Sequence, residues 1–127
     1  MLTHIKAFSG FSVHDAVQAK HFYQDVLGLV VEDGGMPGTL FLHVEGGTHI
    51  LLYAKPNHVP ATFTILNFPV QHIAETVSAL KSEGVHFESY DDEYLKTDKD
   101  HIFRGGGPLI AWFKDPSDNI LSIIETK

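Results

Sequence analysis

The sequence predicts an α+β domain built from two β-α-β-β-β modules, at about residues 4–55 and 61–126. Two segments show the three- and four-residue spacing of apolar side chains that is typical of helices. The same order of elements also occurs twice, since Phe11 before the first helix corresponds to Phe68 before the second, 57 positions later. Such self-similarity indicates one supersecondary unit used twice within a single 127-residue domain.

Both predicted helices have recognisable ends. The first runs from Asp15, whose side chain can cap the amino end, to Gly28. The second runs from His72 to Gly84, and it repeats apolar residues at Ile73, Val77 and Leu80. Glycine suits both carboxyl ends because it adopts the left-handed backbone conformation readily.

Runs of apolar residues bounded by turn residues predict eight strands. They are Ile5–Val13, Leu29–Glu32, Thr39–Glu45, Thr48–Ala54, Ala61–Val70, Val85–Ser89, Leu109–Lys114 and Ile120–Glu125. Gly46 and Gly47 predict a tight two-residue hairpin between the third and fourth strands.

Alternation along the strands assigns one sheet face to the helices and leaves the other face bare. Two sheets with their bare faces turned inward would form a concave cup, which is typical of a small-molecule site. The residues expected on the bare face include Phe8, Ile65, Asn67, Ile110, Trp112, Ile120, Ser122 and Ile124.

Three residues of this face are candidates for chemistry. If the fourth strand turns Leu52 inward, pairing across the glycine hairpin places His43 on the same face, as a pocket base or as a half-exposed strand residue. Asn67 either binds a ligand or satisfies nearby backbone. Trp112 either stacks on a planar ligand or packs in the core.

The longest irregular segment covers residues 90–107 and ends in three consecutive glycines. Its Arg104 is a candidate cation for an anionic ligand if the segment closes as a lid; the alternative is a mobile surface loop.

Composition narrows the function. Nine Lys and Arg against 16 Asp and Glu give a net charge of −7, which disfavours nucleic acid as a partner. No apolar run is long enough to cross a bilayer, so a membrane role is not expected. Without cysteine there is no disulfide framework, and the expected location is the cytoplasm.

Several motifs resemble the vicinal oxygen chelate superfamily of glyoxalases, bleomycin-resistance proteins, fosfomycin thiol transferases and extradiol dioxygenases. They are Val13-His14-Asp15, Lys20-His21-Phe22-Tyr23, Leu27-Gly28 and Asp115-Pro116-Ser117-Asp118-Asn119. The resemblance covers nearly the whole chain. It implies the glyoxalase fold and a homodimer, whereas the reaction is not implied because this scaffold carries many functions.

Enzymes of that superfamily share a divalent metal held by four His or Glu side chains. By the resemblance these ligands fall on Phe8, on Ile65, on Ser122 and within Ile50 to Ala54, where no residue is His, Asp or Glu. We therefore expect no metal and no cofactor, and a protein that binds a small apolar or aromatic molecule. Two alternatives stay open: a metal-dependent lyase or dioxygenase with an unusual ligand set, such as His43 with Glu45, and a metal-free acid-base enzyme that uses His43.

Overall fold

The computed structural model describes residues 1–126, and it divides into two compact units, Met1–Val59 and a second that starts at Pro60. Each unit contains its own sheet and its own helical segment. The α+β class predicted from the sequence is confirmed.

The first unit has a four-stranded sheet with the order β1-β4-β3-β2. Strands β1 and β4 are parallel, and the other pairs are antiparallel. The strands are β1 (Gly10–Val13), β2 (Val30–Asp33), β3 (Thr39–His43) and β4 (His49–Ala54). The first predicted strand is thus shorter than expected: residues 5–9 are not strand, although Ser9 still accepts a backbone hydrogen bond from Leu51.

The predicted first helix is present, but its geometry changes midway. Helix α1 (Ala16–Lys20) begins after Asp15, whose Oδ1 accepts a hydrogen bond from the Gln18 N–H at 2.9 Å, as expected for a cap. It continues as a wider π-helical segment over His21–Val26. Gly28 follows with a φ of 76°, in the left-handed conformation predicted for the helix end.

The hairpin between β3 and β4 differs from the prediction by one residue. His43 pairs with His49, so residues 44–48 form the loop rather than Gly46 and Gly47 alone. A shift of one residue in a strand pair moves every side chain to the other face. Leu52 therefore lies opposite Leu40, fully buried, and does not share a face with His43.

The second unit has a three-stranded sheet with the order β5-β7-β6 and one regular helix. The elements are β5 (Thr64–Val70), α2 (Ile73–Ser82), β6 (Ile110–Lys114) and β7 (Ile120–Glu125). The strand predicted at Val85–Ser89 is reduced to a single bridge between Phe87 and Phe113, with the Glu88 N–H donating to the Trp112 carbonyl.

Each core lies on one face of its sheet. Alternate residues of the strands are buried there together with the apolar face of the helix, as the periodicity predicts. The buried residues include Val13, Ala19, Tyr23, Val31, Leu40, Leu42, Ile50 and Leu52 in the first unit, and Ile73, Val77, Ala111, Phe113, Leu121 and Ile123 in the second. In the described part of the chain, no helix has the length and apolar character needed to traverse a membrane.

Candidate functional site

Asn67, Ser122 and Trp112 form one row across the second unit. The strand register places Asn67 of β5 opposite Ser122 of β7, and Ser122 opposite Trp112 of β6. The row lies on the face of the sheet opposite Leu121 and Ile123, which are buried in the core. Alternation along the strands predicted this arrangement correctly.

A hydrogen bond joins two members of the row. Ser122 is fully buried, and its Oγ donates to Oδ1 of the exposed Asn67 at 2.5 Å. The described residues supply no further partner for the Asn67 amide nitrogen. The open face of this sheet therefore carries one amide donor that is available to a ligand.

The indole of Trp112 is half-buried and makes contacts with three other residues. Its Nε1–H donates to Thr64 Oγ1 at 3.1 Å. The Tyr90 ring meets it edge to face at a centroid distance of 5.5 Å, and the Phe103 ring lies 6.2 Å away. The indole is therefore fixed in orientation, and its N–H is already satisfied within the protein.

The contact from Thr64 depends on an irregularity in β5. Thr64 pairs with Ile120 and Leu66 pairs with Leu121, so Ile65 is an extra residue in a β-bulge. The bulge interrupts the alternation that would place Ile65 on the same face as Asn67. Thr64 takes that position instead, on the face that carries Asn67, Ser122 and Trp112. Ile110 is half-buried and pairs with Ile124.

An open cleft of about 500 Å³ adjoins this face. Lys114 and Glu88 form an ion pair in this cleft, with Lys114 Nζ 3.1 Å from Glu88 Oε1. The neighbouring Glu88 carboxylate raises the pKa of the Lys114 ammonium. Burial raises the pKa of the Tyr90 phenol, and Glu88 adds to this effect. The lining comprises Pro60, Ala61, Thr62, Glu88, Ser89, Tyr90, Lys114, Asp118 and Ile120.

The segment of residues 90–107 is more ordered than a free glycine lid. Phe103 forms bridges with Thr97 and Ile110, and Ile102 is buried. Arg104 Nε donates to Asp98 Oδ2 at 2.7 Å, so its charge is compensated within the segment. Burial raises the pKa of the Asp98 carboxyl, but hydrogen bonds from Arg104 and from backbone amides outweigh it and hold the pKa below its usual value of 3.8. Ligand binding by Arg104 stays a prediction.

In the first unit, Phe8 and His43 lie at opposite ends of an aromatic cluster on the open face of the sheet. Phe8 is 54% exposed, and its ring centroid is 5.1 Å from that of His49. His49 in turn packs against Phe41 at 4.4 Å and lies 6.3 Å from His43. The acidic partner of His43 is Glu32, whose Oε1 is 3.3 Å from Nε2.

The residues at the metal positions implied by the family resemblance do not fit a divalent ion. Phe8 and Ile65 have no donor atoms, and the Ser122 hydroxyl donates to Asn67. In the remaining stretch, Ile50 to Ala54, no side chain is an imidazole or a carboxylate. Across residues 1–126, no three His, Cys, Asp or Glu side chains are grouped so that they could hold a metal ion.

Sequence reasoning missed several members of both faces. Thr64 could not be found, because a β-bulge leaves no clear signal in the sequence. Glu32 was missed because its contact with His43 depends on the register between β2 and β3. Tyr90 was recognised only as the start of an irregular segment. His49 was missed because its place beside His43 depends on the register of the β3–β4 hairpin.

Comparison with known proteins gives a family model match and a set of similar solved structures. The model of the Glyoxalase/Bleomycin resistance protein/Dioxygenase superfamily matches residues 2–123. No curated protein sequence is similar enough to count as a match.

Three solved structures illustrate the likeness. A glyoxalase family protein from Enterococcus faecalis has a TM-score of 0.70 and 21% identity over 98% of this chain and 100% of that chain. UcmS2 has a TM-score of 0.71 and 18% identity over 96% and 100%. TnmS3, an antibiotic binding protein from Streptomyces sp. CB03234, has a TM-score of 0.65 and 19% identity over 98% and 99%. At these identities the structures show a shared fold, and the family model, which spans nearly the whole sequence, shows that the chain belongs to the Glyoxalase/Bleomycin resistance protein/Dioxygenase superfamily.

Proposed function

We propose that the protein binds a small, largely apolar or aromatic molecule and that this binding needs no metal ion. The observation that carries the proposal is the open face of the second unit. There the half-buried Trp112 packs against Tyr90 and Phe103, in the same row as the Asn67 amide. An aromatic surface with a few placed polar groups is the usual composition of a ligand site.

Two further points support binding without a metal. The donor set at the family's metal positions lacks the imidazole and carboxylate groups that divalent ions need. The similar structure TnmS3 is described as an antibiotic binding protein, so a binding role is known on this fold. Both points favour sequestration of a ligand over a metal-dependent reaction.

The proposal is tested with Nile red, a neutral planar dye whose emission rises in apolar surroundings. Because Trp112 is the only tryptophan of the chain, quenching of its fluorescence reports binding near the row. We expect saturable binding with the same affinity after dialysis against EDTA and after addition of Zn²⁺, Ni²⁺, Mn²⁺ or Fe²⁺. The absence of saturable binding, or binding that appears only with a metal, would overturn the proposal.

Matched variants, in which the emission of Nile red itself measures binding, locate the dye. Trp112→Leu removes the aromatic surface and should weaken binding severalfold, whereas Trp112→Phe keeps a ring and should retain most of it. Tyr94→Ser is the control, because Tyr94 is an 87% exposed aromatic residue outside the row. Equal weakening by Trp112→Leu and Tyr94→Ser would mean that the dye binds elsewhere.

A second candidate function is metal-free acid-base catalysis by His43. The contact between its Nε2 and Glu32 favours this, because a carboxylate beside one ring nitrogen orients the imidazole. Any ligand that binds is incubated in D₂O, and mass spectrometry measures deuterium uptake at its carbon atoms. Uptake that His43→Ala abolishes without weakening binding would establish catalysis, and no uptake would exclude this role for that ligand.

We also propose that the protein is a cytoplasmic homodimer, in line with its family. Light scattering after size-exclusion chromatography measures the mass, and twice the 14.1 kDa of one chain is expected. A monomeric mass over the micromolar range would contradict the dimer.

A further inference from the structure

The Asn67 amide has a defined orientation, and Ser122 sets it. The Ser122 hydroxyl is fully buried in β7, the central strand of its sheet, where it must donate its proton to an acceptor. Oδ1 of Asn67 is that acceptor. If the amide were rotated by 180°, its nitrogen would face the hydroxyl, and the hydroxyl proton would lose this acceptor. The amide nitrogen therefore points away from Ser122.

This amide nitrogen is an unused donor on an exposed side chain. Its two N–H groups have no partner among the described residues, whereas the Trp112 indole N–H is bonded to Thr64. The Asn67 nitrogen thus offers a hydrogen bond to a bound molecule, whereas the Trp112 indole does not. The atom that complements it must be a hydrogen-bond acceptor.

We propose that the ligand is a planar aromatic molecule with a neutral carbonyl group, whose oxygen accepts a hydrogen bond from Asn67 Nδ2 while its ring lies beside Trp112. This rests on the proposed small-molecule binding and adds the ligand's chemical class. Ser122 is then a positioning residue that aims the amide. A neutral acceptor suits the site better than an anion, because the chain carries a net charge of −7.

The test compares two ligands of nearly equal shape, 2-acetylnaphthalene and 2-ethylnaphthalene, of which only the first has a carbonyl oxygen. Equilibrium dialysis gives both dissociation constants, and the carbonyl preference is their ratio, ethyl over acetyl. Since a neutral hydrogen bond contributes on the order of 1 kcal/mol, we expect this ratio to be about fivefold higher in the wild type than in Asn67→Leu. The affinity for 2-ethylnaphthalene should be unchanged or higher in that variant.

Ser122 is tested by the same ratio. Ser122→Ala should lower the carbonyl preference, because the amide loses the group that orients it, and Ser122→Thr should restore it. A purely structural role of Ser122 would weaken both ligands alike and leave the ratio unchanged, which would overturn its assignment as a positioning residue.

The outcomes separate this inference from the proposed function. If the wild type binds both naphthalenes but shows the same carbonyl preference as Asn67→Leu, the inference is wrong. The proposal of small-molecule binding is then unaffected. A wild type that binds neither naphthalene and does not bind Nile red overturns both. A wild type that binds Nile red but neither naphthalene overturns only the inference.

Discussion

The Glu125 carboxylate at the end of β7 accepts a hydrogen bond from the backbone N–H of Ile73, the first residue of α2, at 3.1 Å. The two residues are 52 positions apart in the sequence. His72, at the cap position itself, makes no side-chain hydrogen bond to the helix. The last strand therefore supplies the cap of the second helix, and a negative charge at that end also complements the helix dipole.

Removing this cap should destabilise the protein moderately. Glu125→Ala is expected to lower the free energy of unfolding by about 1 kcal/mol, because a helix N–H loses its acceptor. Glu125→Gln keeps an acceptor oxygen and should cost less. Urea denaturation followed by circular dichroism measures both. An equal loss in the free energy of unfolding for the two variants would show that the negative charge, and not the acceptor oxygen, stabilises the end of the helix.

The register of the β3–β4 hairpin predicts very different effects for two adjacent leucines. Leu52 is fully buried, so Leu52→Ala should cost about 2–5 kcal/mol through lost burial and a cavity. Leu51 is half-buried on the opposite face, and Leu51→Ala should cost about half as much or less. Chemical denaturation of both variants decides the register, since the sequence-based hairpin predicts the reverse order.

The buried Asp115 carboxylate organises the turn between β6 and β7. It accepts hydrogen bonds from the Ser117 N–H at 2.8 Å, the Asn119 N–H at 2.9 Å and the Asn119 side-chain amide at 3.0 Å. Asp115→Ala should therefore cost about 2–3 kcal/mol, because buried donors lose their acceptor.

Asp118, with a φ of 65°, provides the control. Asp118→Gly should change stability by less than about 0.5 kcal/mol, since glycine favours that conformation. Thermal unfolding compares the two variants.

Stability contributed by Asp98 should depend on pH. Its pKa in the folded protein is lowered, so its contribution is complete above the ordinary value of 3.8 and is lost as pH falls through the lower folded value. The difference in unfolding free energy between the wild type and Asp98→Asn should accordingly be largest near neutral pH and shrink below about pH 4. Urea titrations from pH 7 to pH 3 measure it, with Asp100→Asn as the neighbouring control. A difference that does not vary with pH would contradict the pairing of Asp98 with Arg104.

Local signals were enough to predict both helices and most strands. The Asp15 cap and Gly28 mark the two ends of the first helix, and both signals depend only on residues close in the sequence. The structure confirms both. The change from α to π geometry after Lys20 was not predictable, because no residue type specifies it. The strand expected at Val85–Ser89 was wrong because only Phe87 finds a bridge partner there.

The candidate site was predictable only where alternation is regular. Alternation along the strands placed Asn67, Ser122 and Trp112 on one face correctly, because β5, β6 and β7 keep their period of two from Leu66 onward. The same alternation put Leu52 on the wrong face, because the loop of residues 44–48 is longer than the glycine pair suggests and shifts the register.

The family, the α+β class and the absence of metal-ligating side chains at the family's metal positions can all be read from the amino-acid sequence alone. These properties depend on residue identity and local periodicity, which can be read along the chain. Three contacts become visible only in the folded chain: Thr64 accepts from the Trp112 indole, Ser122 orients Asn67, and Glu32 is the partner of His43. Each of those contacts joins residues of different strands, and strand register depends on the packing of the whole sheet and not on any local run of residues.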